Sequence, residues 1–303
     1  MTAPSLSPEF KPVNMSESID IQSPLPWGRA FFSGAMNLLA FTFTGLAILP
    51  LFAILFSILV RGLDNLSWEA LTSLPAPIGL ENEMANGFAN AILGTLLMVA
   101  IAAAMSVPFG VMTGIYLSEF GQGSRLASTV RFMTKILSSV PSIMVGVFAY
   151  GVVVLTTKRF SAVGGGFALA VLMVPIIALT TEEALKLVPR DRRLASLALG
   201  ANRFQTTWRI ALLGALPGIT TGVLLAIARA AGETAPLLFT ALFSETWPQG
   251  LFQPTPSLAV LIYNYALSPF DSQTTLAWTA ALVLLILVLT TNILSRIVTR
   301  RHT

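Results

Sequence analysis

Six stretches of about 20 apolar residues, separated by short polar connections, constrain this chain more than any other feature. A helix rises about 1.5 Å per residue, so each stretch is long enough to cross the hydrocarbon of a bilayer. The stretches lie at about 34–60, 88–116, 134–156, 166–185, 211–238 and 275–295. They predict an all-α, polytopic membrane protein with six transmembrane helices. A seventh segment, at about 258–267, is too short to span and reads as re-entrant or interfacial. Pro50, Pro108, Pro141 and Pro175 fall inside the predicted spans and read as packing kinks.

Charge agrees with that class. Only 11% of residues are charged, against about 25% in a soluble domain. The net charge of +4 does not indicate a nucleic-acid surface, because the basic residues lie between apolar runs rather than in one patch. Of the 18 lysines and arginines, only Arg61, Lys158 and Arg159 fall on the outer side when both termini are placed inside, and Arg229 falls within a span. Lys158 and Arg159 read as solvated charges or as contacts for an acidic partner. Residues 1–26 are rich in Pro and Ser and lack an apolar core. They therefore read as part of a disordered cytoplasmic leader over 1–30, not as a signal peptide. There is no cysteine, and the one histidine is His302. Thiolate metal sites and most serine, cysteine and zinc chemistries are excluded with them.

The fifth predicted span carries the chemistry. Arg229 and Glu233 stand four residues apart within it, followed by Thr234. A charge at bilayer depth costs roughly 3 kcal/mol even on lenient scales, so it is read as functional. Gly214, Gly218, Gly222, Ala226 and Ala230 form a row of small residues at four-residue steps, which admits a close helix neighbour. Gly110 and Gly114 make a shorter row on the second span. Together they predict a close helix contact beside a buried charge pair.

Between the fourth and fifth spans lies the longest inner loop. Arg192 to Leu199 are almost all helix formers, Gly200 suits a turn, and Phe204, Trp208 and Ile210 begin a second helical stretch. The short helix–turn–helix reads either as a surface helix on lipid headgroups or as a protein docking surface. Glu182 and Glu183, just before it, are expected to pair with nearby arginines.

This loop resembles the "EAA" loop of importer permeases of the ATP-binding-cassette (ABC) superfamily. Leu194-Ala195-Ser196 takes the triplet's place, Gly200 is the glycine, and Ile210 follows at the family's spacing. Leu194 replaces the usual acid, and Leu213 stands where a proline is usual. The block from Ile219 to Leu237, with Glu182-Glu183, Leu187-Val188-Pro189 and Ala266 to Phe270, is similar to the PstA-type phosphate permeases over about Asn86 to Arg301.

The resemblance implies a type I ABC importer permease fold over 31–303, with the coupling loop at about 186–210. It implies a bacterial inner-membrane protein with cytoplasmic termini, paired with a homologous permease. Two ATP-binding subunits and a periplasmic phosphate-binding protein complete the machine; the lipid bilayer, not nucleic acid, surrounds it. No cofactor is expected in this chain, since it has no Gly-Lys-Ser or Gly-Lys-Thr phosphate loop. ATP and magnesium would belong to partner subunits, and the chain is expected not to be an enzyme by itself. Arg229, Glu233 and Thr234 are the expected substrate pathway: guanidinium offers a bidentate fork to phosphate, and Glu233 competes for it. The other reading of Arg229 and Glu233 is an ion pair that locks the helix. Ala195, Ser196, Ala198, Leu199, Gly200, Ala201 and Phe204 are the expected ATPase-coupling surface. Competing readings are an importer of sulfate, molybdate or an amino acid, and a gradient-driven transporter or channel. A membrane enzyme is disfavoured, because no catalytic constellation stands at membrane depth.

Overall fold

The computed structural model describes residues 27–79 and 84–300. Residues 1–26 of the expected leader over 1–30, with Glu81, Glu83, Arg301 and His302, lie outside them, while residues 27–30 of that leader are helical. The chain divides into two units, up to Leu55 and from Phe56 onward.

All regular elements among the described residues are helical. Helix α1 is Trp27–Leu63. None of its residues 27–55 is buried, and its apolar side chains face outward all round. Thr42 and Thr44 turn their hydroxyls back to the carbonyls of Leu38 and Ala40 (2.8 and 2.7 Å). Such a helix suits hydrocarbon and no aqueous surface.

In the second unit, α2 (Trp68–Thr72) precedes α3 (Ala89–Ile115), which continues through a π-helical turn, Tyr116–Phe120. Then come α4 (Arg125–Ser139), α5 (Ser142–Ala149), a second π turn and α6 (Leu155–Thr157). Helix α7 (Ala162–Lys186) is the most buried of the long helices. Helices α8 (Arg190–Ala198) and α9 (Arg203–Thr206) lead through a third π turn into α10 (Leu212–Ala231). The order closes with α11 (Ala235–Thr240), α12 (Leu258–Ala266) and α13 (Asp271–Arg300).

Five helices are long and apolar enough to span, and α4 with α5–α6 makes a sixth if the bent pair is counted as one. The expected third span, 134–156, is therefore not a straight helix. The chain turns by 103° between Ser139 and Ser142. Pro141 causes this: its ring bars the α conformation at the preceding residue, and Val140 is extended at φ −67°, ψ 132°. Pro50, Pro108 and Pro175 lie within continuous helices, as does Pro217. The short segment at 258–267 is α12, with Leu258 and Leu261 fully buried.

The interior is assembled around α7. Gly110 and Gly114 of α3 abut Ile177 and Thr181 on one side, and Gly218 and Gly222 of α10 abut Ala184 and Thr180 on the other. A Cβ on Gly218 would sit 2.8 Å from that of Ala184. The row of small residues on α10 thus makes its expected close helix contact with α7 of the same chain. Small faces report that something packs closely and do not report what. Ala226 and Ala230, completing the row, belong to the main core with Met98, Leu169, Met173 and Ile177.

Candidate functional site

The Arg229 block lies at a break, not inside a helix. Helix α10 ends at Ala231, and Glu233 stands in the gap before α11. The amides of Gly232 and Glu233 close back on the carbonyls of Arg229 and Ala230 (3.1 and 3.2 Å), tightening the last turn. Pro236 then cannot donate to a continuing ladder, and the helix restarts with it in the first turn of α11. The expected continuous span over 211–238 is corrected accordingly.

Arg229 thus occupies the last turn of α10, where a cation complements the helix dipole. Its side chain is 57% exposed and that of Glu233 only 16%. The Arg229 Nε lies 3.6 Å from Glu233 Oε1, too far for a good hydrogen bond. The planar fork of the guanidinium is therefore not consumed within the described chain. Thr234 is half-buried, and its carbonyl accepts from Leu237 and Leu238 (3.1 and 3.2 Å).

A second broken element flanks this one. Helix α5, which follows the bend at Pro141, packs on α11 where Gly146 gives way: a Cβ there would lie 2.7 Å from Pro236 Cα. The start of α7 is tied in as well, since the Ser161 amide donates to the Thr240 carbonyl at 3.0 Å. Two interrupted helices thus meet at Pro236, seven residues beyond Arg229. Interruptions of this kind are tolerated within membranes where they line a cavity or are buried in protein.

The opposite end of α7 holds the helix–turn–helix. Leu199 and Gly200 make the turn, with Gly200 at φ +87°, a left-handed conformation that glycine adopts without cost. Asn202 caps α9 in a reciprocal box with Gln205 (2.8 and 3.0 Å). Ser196 and Thr206 share a hydroxyl–hydroxyl bond of 2.9 Å, holding α8 to α9. Ala195, Ala198, Leu199, Gly200 and Phe204 are exposed, while Ser196 and Ala201 are half-buried. Leu194, in the position of the missing acid, is exposed too. An apolar tip results, at odds with a purely solvated loop.

Ion pairs fasten this tip to the bundle. Arg193 Nη2 donates to Glu119 Oε1 (2.7 Å) and to the Leu185 carbonyl (2.8 Å), and Nη1 to that of Val188 (2.6 Å). Glu182, 1% exposed, accepts from Arg131 (2.7 Å) and lies 2.9 Å from Lys186 Nζ. Glu183 pairs with Lys186 at 3.2 Å. Glu182 therefore has its arginine, while among the described residues Glu183 has a lysine instead. Sequence reasoning does not single out Glu119 or Arg193; the available signal is a lone acid three residues beyond an apolar run. Lys158 and Arg159 are exposed at the other end of α7, without an ion pair among the described residues.

The sequence profile of the family described as "binding-protein-dependent transport system inner membrane component" matches residues 106–303. The chain belongs to this family. Among its relatives are the phosphate transport system permease proteins PstA of Yersinia pestis and Haemophilus influenzae. The first is 45% identical over 245 residues, 81% of this chain and 82% of the relative. The second is 43% identical over 245 residues, 80% and 85% of the two chains. A chain of the MetNI methionine ABC transporter in an inward-facing conformation superposes with a TM-score of 0.59 at 21% identity, over 71% of this chain and 95% of that one. A chain of a bacterial alginate ABC transporter superposes with a TM-score of 0.61 at 15% identity, over 90% and 96%. These likenesses establish the type I ABC importer permease fold for this inner-membrane component. Family membership makes it a transport subunit rather than an enzyme.

Proposed function

We propose that this inner-membrane component carries inorganic phosphate into the cell, in an importer driven by ATP hydrolysis in separate subunits. The observation that carries the reading is the 45% identity to a phosphate transport permease over four-fifths of both chains. In this reading the chain pairs with a homologous permease, both termini face the cytoplasm, and a periplasmic protein delivers phosphate. Two ATPase subunits hold ATP and magnesium. They dock on the apolar tip formed by Ala195, Ser196, Ala198, Leu199, Gly200, Ala201 and Phe204, and the permease body comprises residues 31–303. Arg229 offers the passing anion its fork, Thr234 a hydroxyl, and Glu233 a competing carboxylate that prevents tight retention. The loose 3.6 Å pair supports this role over a lock, because a lock would close to a direct hydrogen bond.

The test is uptake of radiolabelled phosphate by proteoliposomes holding the complete complex. ATP-dependent accumulation that excess sulfate or molybdate leaves unchanged is the expected result. Accumulation driven by an ion gradient without ATP would overturn the reading. Arg229→Gln is expected to abolish uptake while the complex stays assembled; dissociation of the complex would instead make the pair a lock.

A further inference from the structure

The cytoplasmic ion pairs described above leave a surplus of positive charge around a cavity far from Arg229. This cavity, of about 540 Å³, opens where the end of α3, the start of α4 and the end of α7 converge. Arg125, Arg131, Lys186 and Arg190 line it, with the hydroxyl-bearing Ser124 and Ser128. No carboxylate lines its wall. Arg131 and Lys186 are committed to Glu182, and Lys186 also to Glu183. Arg125 and Arg190 are exposed and have no ion-pair partner among the described residues.

The backbone adds to the same field. Helix α4 is 15 residues long and carries no acid in its first turn; Arg125 stands there instead. A cation at that end opposes the helix dipole, and an anion between them would relieve both. The loop entering α4 includes Gly123 at φ +78°. Gln122 of the same loop also lines the cavity, and its amide donates to the Ser118 carbonyl (2.8 Å).

We infer that this cavity binds a phosphate-type oxyanion, gripped by Arg125 and Arg190 with the Ser124 and Ser128 hydroxyls beside them. Arginine at two walls suits a phosphate with several free oxygens. Two sources share that chemistry: the headgroup of an acidic phospholipid, and free inorganic phosphate. The position between helix ends favours the headgroup, since basic pockets between membrane helices hold such lipids. This site is independent of phosphate passage at Arg229, which lies toward the other end of the bundle.

The experiment compares the assembled complex with its Arg125→Gln/Arg190→Gln variant. In one arm, native mass spectrometry counts phosphatidylglycerol and phosphatidylcholine retained after exchange into detergent. In the other, radiolabelled inorganic phosphate is bound to the complex in phosphatidylcholine nanodiscs. Loss of two cations near an anionic group is expected to lower phosphatidylglycerol retention about thirtyfold, with phosphatidylcholine unchanged. A fall in bound phosphate in the second arm alone would support the site and identify its occupant as the free ion. Arg125→Lys/Arg190→Lys is expected to recover much of the binding. Both side chains are exposed, so the variants leave the buried packing intact. Unchanged binding in both arms would overturn the proposal. So would an equal loss in Lys158→Gln/Arg159→Gln, since that would make the effect one of surface charge in general.

Discussion

Arg229 differs from the two other paired arginines because its neighbours leave it unfinished. Arg193 spends its guanidinium on three acceptors and Arg131 on Glu182, whereas Arg229 reaches only a loose carboxylate. Replacing Arg229 with lysine keeps the charge and removes the fork. Arg229→Lys is therefore expected to raise the KM for phosphate about tenfold, the worth of one charge-assisted hydrogen bond. Initial uptake rates over a range of phosphate concentrations measure this, and an unchanged KM would refute a bidentate contact. At Glu182 the outcome is structural. Arg131→Ala leaves a buried carboxylate with Lys186 alone. The expected cost is roughly 2 kcal/mol, below the 3–5 kcal/mol of a sealed pair because one partner remains and Arg131 is partly exposed. The thermal midpoint of the purified complex reports it. These acids show where residue-level reading succeeds and stops. Glu182 beside a basic loop announces a pair, but Arg131 lies 51 positions away, and no local pattern names it. Glu119 carries no such announcement at all.

Helices were legible where composition alone decides them. Runs of 20 apolar residues have no other stable form in lipid, so each expected span contains helix. Their interruptions were harder to read. Pro108 lies within α3, whereas Pro141, with Ser138, Ser139 and Ser142 around it, breaks its helix. Ser138 and Ser139 turn their hydroxyls to the carbonyls of Lys135 and Ile136 (2.7 and 2.8 Å), and a count of apolar residues over the span passes over this polar cluster. The end of α10 was signalled by Gly232 and Pro236, but the apolar run through Leu238 masked it. The small-residue row was legible as a close contact, while its partner, α7, required the fold. At the turn between α8 and α9 the reading and the geometry coincide: Gly200 adopts φ +87° at an exposed apolar tip. Gly200→Asp places a charge on that tip and strains the turn. It is expected to leave ATP hydrolysis running in the complex while phosphate uptake falls at least tenfold, about 1.4 kcal/mol of lost coupling. Measuring both rates on one preparation checks this; parallel retention of both would remove the tip from the coupling path.

At the scale of the whole molecule, the second unit holds Arg229 and the apolar tip toward opposite ends of α10. Arg229 lies about 26 Å along the axis of α10 from its first residue. Ser161 ties α11 to the start of α7, and Arg193 ties α8 to its end. Between these ties Gly218 and Gly222 of α10 lie so close to Ala184 and Thr180 of α7 that neither has room for a Cβ. The absence of cysteine makes that contact testable without background thiols. A Cβ on Gly214 would lie 3.5 Å from Cγ2 of Val188, two residues beyond the end of α7, so cysteines at the two positions would face each other. Val188→Cys/Gly214→Cys, once oxidised, is expected to keep uptake within about twofold of the reduced form; a block on oxidation would mean that the two helices must part. A pair of rods welded along a glycine seam does not slide, so whatever pushes on one end must swing the other. Over 26 Å, a tilt of about 5° carries the far tip through about 2 Å. That stroke is wide enough to pull an oxyanion out of a two-pronged grip.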